Sequence, residues 1–470
     1  MEMKFINIYI NVDSSFEKKA KYIFATFFKI IGIKPQFFTK TTKEDIHIYY
    51  GIKTNDEYPI HIYHDLAASD FFQKKEDYPS EKVNLVKYES DYMPFLFSKK
   101  GAILKYTKNS IRTRKDIISS AFYFLSCWQE YTSTKEISPS SPYDFSKSIQ
   151  AKFNFTDIAP VDLYCKLLEN ILEKKFQEFV KRNTWPEGKK FAVSLSHNIE
   201  FWNFWTDKQF QESQRKNKKF NLKLFLRLLV NKIDKKYFFE PAKVIKKIIN
   251  KEKKLRSSST FFILTKADFP DERRNYFDNE ASFRQIKELL KGSSVNLFGS
   301  KEAGFQYHYL PAELDKLSEF SANGFRVRYL NLNYQSLFHT LENGKVKYDS
   351  SIGFDEHTGY RAGISYPFNP YNIKEDRQFN ILEIPIVALD SSLMKQNENK
   401  YYKAKKKIAR LIKSAKHHKS HISVSWHTHH FDPVDFPHWN KLYWKLLNFA
   451  KKNSAWLCSL DKMYNYWQNK

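Results

Sequence analysis

Cysteine is scarce in this chain: three in 470 residues, Cys127, Cys165 and Cys458, each in an apolar or aromatic setting and none in Cys-x-x-Cys spacing. That excludes a disulfide framework and a zinc knuckle, and three buried structural thiols are expected. No 18 apolar residues run together, so no helical membrane span is expected. The opening residues Met1-Glu2-Met3-Lys4-Phe5-Ile6-Asn7 have no basic lead before an apolar core and no small-residue cleavage site, which places the expected protein in the cytoplasm. Repeats and low-complexity tracts are also missing.

Acidic residues are in deficit, 52 Asp and Glu against 78 Lys and Arg, for a formal net charge of +26. Such a charge ordinarily points to nucleic acid or an anionic surface. Here much of the excess is lysine scattered through a chain rich in Ile, Phe, Tyr and Asn, so no specific nucleic-acid partner is expected. Residues 205–256 stand out, with 17 Lys or Arg against 5 Asp or Glu. Within them Leu222, Phe225, Leu226, Leu229, Val230 and Ile233 recur at helical spacing, interleaved with Lys223, Arg227 and Lys232. The pattern fits a docked helix with a solvated basic face, or a helix making a peripheral contact with an anionic surface.

With 42% hydrophobic and 17% aromatic residues the chain is globular, and its length suggests more than one domain. The first 185 or so residues alternate strands and helices. Phe5–Ile10 reads as a strand; Asp13 caps a helix whose stripe runs through Phe16, Ala20, Ile23, Phe24, Phe27, Phe28 and Ile31 until Gly32 stops it. Strand-like runs follow at Pro35–Phe38, Ile46–Tyr50 and Ile60–Tyr63, an aromatic helix opens at Asp116, and another begins near Val161. No catalytic constellation is legible in this half, which is expected to form a small α/β domain over residues 1–185. Ser138–Pro142 has the composition of a loop, and the polar stretch Arg182–Gly188 marks the boundary. Strand-like runs then recur at 191–195, 259–264, 296–298, 381–385, 422–426 and 455–457, alternating with helices, which predicts a parallel barrel or sheet over 186–470.

The strand Phe191-Ala192-Val193-Ser194-Leu195 runs into Ser196-His197-Asn198-Ile199-Glu200. Polar side chains at the end of a buried strand are where α/β enzymes place their chemistry. His427, His429 and His430, beside Asp432, form a second cluster at a strand end. Aromatic residues crowd the same loops, among them Phe201, Trp202, Phe204, Trp205, Tyr307, Tyr309, Tyr360, Tyr366 and Phe368, and flat rings beside polar groups suit stacking on sugars.

These segments resemble, in order, motifs of the polysaccharide deacetylase family, in which a first strand runs into Thr-His-Asp-Val-Asp. Ser259–Leu264 is similar to the family's second barrel strand. Tyr348-Asp349-Ser350-Ser351-Ile352-Gly353-Phe354 and Gly359-Tyr360-Arg361-Ala362-Gly363 resemble a bacterial subgroup, and Ser119–Ser126 with Trp128-Gln129-Glu130-Tyr131 resembles that subgroup's accessory domain. The resemblance implies a distorted (β/α) barrel of polysaccharide deacetylase type preceded by a small α/β domain, with a basic helical insertion at 205–256. It further implies an acetylated polysaccharide or oligosaccharide as partner.

In that family a divalent metal held by one Asp and two His activates water, a second Asp is the base and a late His protonates the leaving amine. Carried over by position, the base falls on Asn198, which cannot hold a proton in this range. The arginine that orients the base falls on Arg326 and the acid on His427. The metal positions fall on Glu200 and on the stretch Glu302–Leu310, where Gln306 is a poor ligand and Leu310 is none, with His308 as a displaced donor. Substrate contacts are expected from His197, Trp202, Tyr307, Tyr360 and Arg361. A divalent metal (zinc, cobalt or nickel) is expected only if the site still functions. The resemblance thus implies a deacetylase-like protein acting on or binding an N-acetylated surface glycan with its chemistry weakened or lost. Two alternatives stand beside it: an active enzyme rearranged around Glu200 and nearby histidines, and an anionic-surface or nucleic-acid binder. Plainer readings remain for individual residues: His197 and Asn198 as turn caps, and Asp349 with Arg361 as a buried pair.

Overall fold

The structure is a computed structural model that describes residues 3–40, 45–53, 57–76, 83–98, 100–133, 143–179, 185–202, 240–266, 276–433 and 435–470. The loop at 138–142, residues 182–184 of the expected boundary, Phe204, Trp205 and the basic stretch 205–239 lie outside the described residues.

The first unit is built on strands β1 (Phe5–Asn11), β2 (Lys34–Phe38), β3 (Ile48–Gly51), β4 (Ile60–Tyr63), the hairpin β5 (Asn84–Tyr88) and β6 (Asp91–Phe95), β7 (Leu104–Tyr106) and β8 (Ile111–Thr113). Its sheet has the order β2-β1-β3-β4-β8-β7, parallel except for the β7–β8 pair. The first helix spans Ser14–Ile31, capped by Asp13, whose side chain accepts from Ser15 N, and ended by Gly32 at φ 87°. The carboxyl ends of β3, β4 and β8 meet on Asp116. This buried carboxylate accepts from Tyr50 Oη (3.0 Å), Asp65 N (2.8 Å) and Ser119 N (2.9 Å) and meets His64 Nδ1 at 3.0 Å.

The second unit carries β9 (Phe191–Ile199), β10 (Thr260–Leu264), β11 (Ser294–Gly299), β12 (Gly324–Val327), β13 (Tyr348–Asp349), a small β14–β15 pair (Tyr371–Asn372, Arg377–Gln378), β16 (Leu382–Glu383), β17 (Ile386–Leu389), β18 (His421–His427) and β19 (Ala455–Ser459). Nine of these form one curled sheet, β16-β13-β12-β11-β10-β9-β18-β17, with β19 beside β9; its strand pairs are all parallel. The central strand β9 is shared along its length. Its first half pairs β19 and its second half pairs β10. The two outermost strands, β16 and β17, are halves of one run of chain, Leu382–Leu389. Every residue of β9 and β10 is buried, as expected for strands covered on both faces.

The two units pack through the segment that the sequence offered as substrate contacts. Arg361 makes a bidentate ion pair with Glu130 of the first unit (2.7 Å to each oxygen) and donates to the carbonyls of Leu330 and Gly353. Tyr360, 3% exposed, is covered by the first unit, its N–H donating to Thr156 O. The flanking glycines serve the same contact. Gly359 (φ 142°) and Gly363 (φ 65°) would place a Cβ 2.4 Å from Thr156 O and 2.8 Å from Phe124 respectively. A second lock joins Ser365 to Asp162 of the first unit (Ser365 N to Oδ1, 3.0 Å), and Ser365 O faces His421, which meets Ser194 Oγ at 2.7 Å. Burial pushes Asp162 up to about 7 and His421 down to about 4.

Candidate functional site

The carboxyl ends of β9, β11, β12, β17 and β18 surround a cavity of about 230 Å³. Asn198, Glu200, Phe298, Arg326, Arg328, Tyr329, Asp355, Lys395, His427, His429 and His430 are among its lining residues. Six of the residues singled out from the sequence therefore converge: Asn198, Glu200, Arg326, His427, His429 and His430.

Strand alternation decides who enters. At the end of β9 alternate side chains enter the cavity, Asn198 and then Glu200 just past the strand. His197 points the other way, into the layer of helices. There its Nδ1 meets Trp426 O (3.0 Å) and its Nε2 meets Glu252 (3.2 Å) and Tyr443 Oη (3.1 Å). The expected sugar contact from His197 is thus replaced by a buried polar network, completed by Ser259 Oγ donating to both oxygens of Glu252 (2.7 and 2.8 Å).

Arg326 on β12 is fully buried, with its guanidinium carbon 4.0 Å from the centre of the Phe262 ring. It donates from Nε to Ser350 O (2.9 Å), from Nη1 to Asn198 Oδ1 (2.9 Å) and Ser425 Oγ (2.8 Å), and from Nη2 to Ser350 Oγ (3.0 Å). Burial lowers its pKa to about 9 against the opposing pull of Asp349. Arg326 holds Asn198 through its amide oxygen, which accepts as a carboxylate oxygen would. Held this way, Asn198 turns its Nδ2 toward His427 Nε2, 3.2 Å away.

His427 ends β18. Its Nδ1 meets Asp390 Oδ1 at 2.7 Å, and its backbone N–H donates to Asp390 Oδ2 (2.6 Å). Burial disfavours the charged ring, but the Asp390 carboxylate outweighs it and holds the pKa of His427 above its ordinary value. His430 shares the same carboxylate, Nδ1 to Oδ2 at 2.6 Å. Asp390 itself lies well below the usual range: burial raises it, and the two imidazoles overcome burial. Sequence reasoning missed Asp390, although it directly follows β17 and His427 likewise sits at a strand end.

The residues around Glu200 do not fit the metal that the family resemblance implies. Glu200 faces the buried guanidinium of Arg328 at 3.6 Å, so a fixed cation already stands beside the carboxylate. The cavity-facing residue of β11 is Phe298, which is in register with Arg326. Gln306 and His308 lie beyond the end of β11, exposed at the short turn Tyr307–Tyr309, and neither lines the cavity; Leu310 is in the core. The His308 ring instead packs at a tilt against Tyr309, 4.0 Å between centroids. Asp390, His427 and His430 form a second group with metal-ligand chemistry. Their N···O separations of 2.6–2.7 Å are hydrogen-bond lengths, well short of the roughly 3.3–3.4 Å between neighbouring ligands of a tetrahedral zinc. This group is an orienting device, one carboxylate fixing two imidazoles.

Of the remaining expected contacts, Trp202 is buried (5% exposed) near Tyr276, and Tyr307 is exposed away from the cavity. Asp349 does not pair with Arg361. It accepts from Ser351 and shares its surroundings with Glu383, its register partner on β16, and burial raises Asp349 to about 6 and Glu383 well above its ordinary value. An aromatic that the sequence did not single out takes the rim. Tyr329, 39% exposed at φ 59°, stands between the cavity and an adjoining hollow of about 460 Å³ lined in part by Tyr143, Phe145, Lys301 and Phe354.

Among the described residues no helix is long and apolar enough to cross a membrane. The described end of the basic segment forms the helix Pro241–Lys254, docked through Ile245, Ile248 and Glu252. Residues 7–177 match a family model described as a family of unknown function, DUF7033, which covers less than half of the chain. No curated protein matches it. Among solved structures, the chain is similar to a Pseudomonas aeruginosa PAO1 protein described as a probable polysaccharide deacetylase, at 11% identity and TM-score 0.42, over 62% of this chain and 95% of that one. It is also similar to a Mycobacterium smegmatis protein described as a putative polysaccharide deacetylase, at 12% identity and TM-score 0.39, over 61% of this chain and 92% of that one.

Proposed function

We propose that this chain is a polysaccharide deacetylase-like protein, a distorted barrel of that type behind an accessory domain, which binds an N-acetylated surface glycan and whose deacetylase chemistry is weakened or lost. One observation carries the reading: Asn198 occupies the position between Arg326 and His427 that suits a catalytic carboxylate, with the supporting hydrogen bonds intact and the proton acceptor gone. The Glu200–Arg328 pair and Phe298 account for the metal side, since neither leaves a ligand set around Glu200. The polar, partly aromatic cavity keeps what sugar recognition needs. It offers hydroxyl-seeking donors and acceptors, a flat ring at Tyr329, and an adjoining hollow that extends the surface to several sugar units.

The test pairs binding with turnover, using N-acetylglucosamine oligosaccharides as probes. Calorimetry with the purified chain is expected to show binding that Tyr329→Ala weakens, and acetate release is expected to stay at background with zinc, cobalt or nickel added. Metal-dependent acetate release abolished by Glu200→Ala would establish the active-enzyme reading instead. Binding to no acetylated glycan would overturn the proposal.

A further inference from the structure

Among the described residues, a cluster whose geometry suits a transition metal lies away from the cavity, where the two units meet. Asp91 opens β6 in the β5–β6 hairpin of the first unit, and His417 and His418 close the helix Tyr401–His418 of the second. His418 Nε2 stands 3.3 Å from Asp91 Oδ1, His417 Nε2 stands 3.9 Å from Asp91 Oδ2, and the three candidate ligand atoms all lie within 4.8 Å of one another. Ser90 Oγ is 3.0 Å from His417 Nε2.

Zinc with nitrogen and oxygen ligands at about 2.0–2.1 Å needs neighbouring ligand atoms about 3.3–3.4 Å apart. The His418 separation lies at that value and the His417 separation above it, whereas those around Asp390 fall short of it. His417 and His418 are the last two residues of the helix, where its dipole favours a cation. Lys166 opposes the metal, its Nζ 3.9 Å from Asp91 Oδ2, yet it has Glu89 as an alternative partner at 3.7 Å.

We propose that Asp91, His417 and His418 form a zinc-type metal site, completed by water or Ser90, that clips the β5–β6 hairpin of the first unit to the end of the Tyr401–His418 helix. The site is independent of glycan binding. It places a metal where the two units join and none beside Glu200.

The experiment is a zinc titration of the chelator-treated full chain, read by calorimetry and thermal melting. One zinc per chain and a concentration-dependent rise in Tm are expected. The double variant His417→Ala/His418→Ala, altered at the surface end of a helix, is expected to weaken binding at least about thirtyfold and abolish the Tm shift, while Lys166→Gln tightens it. Zinc binding that survives the double variant, or that disappears instead on His427→Asn/His430→Asn, overturns the proposal. So does binding only at millimolar zinc with no Tm shift.

Discussion

Arg326 Nη1 donates to Asn198 Oδ1 over 2.9 Å, and that bond decides which end of the amide His427 meets. The guanidinium has only donors, so it takes the amide oxygen and leaves the –NH₂ to face His427 Nε2. With Nδ1–H committed to Asp390, the ring offers a lone pair there. A proton added to Nε2 keeps the attraction of Asp390 but confronts the amide hydrogens.

Asn198→Asp reverses the second of these effects. The carboxylate keeps its bond to Arg326 and accepts from a protonated Nε2, so the pKa of His427, followed by NMR, is expected to rise by at least about one pH unit over the wild type. Acetate release is expected to stay at background, because the Glu200–Arg328 pair is untouched. An unchanged His427 titration would refute the amide orientation inferred here.

Arg326→Met removes four donated hydrogen bonds and strands buried acceptors on Ser350, Asn198 and Ser425. A loss of about 2–5 kcal/mol is expected in urea unfolding, with weakened glycan binding in the protein that remains folded.

Breaking the Glu130–Arg361 pair separates structure from function. Glu130→Ala leaves a buried guanidinium unmatched and is expected to cost about 3–5 kcal/mol. Glycan affinity of the folded fraction is expected to stay within about twofold, whereas a selective loss of affinity at unchanged stability would return Arg361 to the binding surface.

Asp162 makes the junction between the units pH-dependent. Its pKa is raised from 3.8 to about 7 by burial, so the folded state binds the proton more tightly than the unfolded state. The associated stability is full below pH 3.8 and is lost as pH rises through 7. Asp162→Asn removes that slope, so the Tm of the variant relative to the wild type is expected to climb between pH 4 and 7.5; parallel Tm curves would show that Asp162 does not titrate in this range.

Much of this was legible in the chain. Asp13 and Gly32 bracket the first helix as their chemistry requires, and the apolar runs at 191–195, 260–264 and 422–426 are buried strands. Asn198, Arg326 and His427 were placed together by the resemblance, which assigned them the base, the orienting arginine and the acid, and the structure brings the three side chains together at the carboxyl ends of parallel strands. The misplacements have equally local causes. His197 was lost to strand alternation, and Gln306 and His308 to a stretch that lies past the end of its strand. Tyr360 and Arg361 looked like site residues because polar and aromatic side chains beside glycines look alike whether they meet a ligand or another domain.

By itself the sequence determined the alternating α/β architecture and that position 198 carries an amide with no acid–base chemistry of its own, since strand periodicity and side-chain acidity are properties of the residues themselves. Only the tertiary structure decided that Arg328 stands beside Glu200, that one carboxylate orients both His427 and His430, and that Asp91 meets His417 and His418 across more than three hundred residues of chain. Those relations depend on which strand ends and helix ends come to lie within a few ångströms. Local spacing says nothing about distances that are set by packing between elements far apart in the chain.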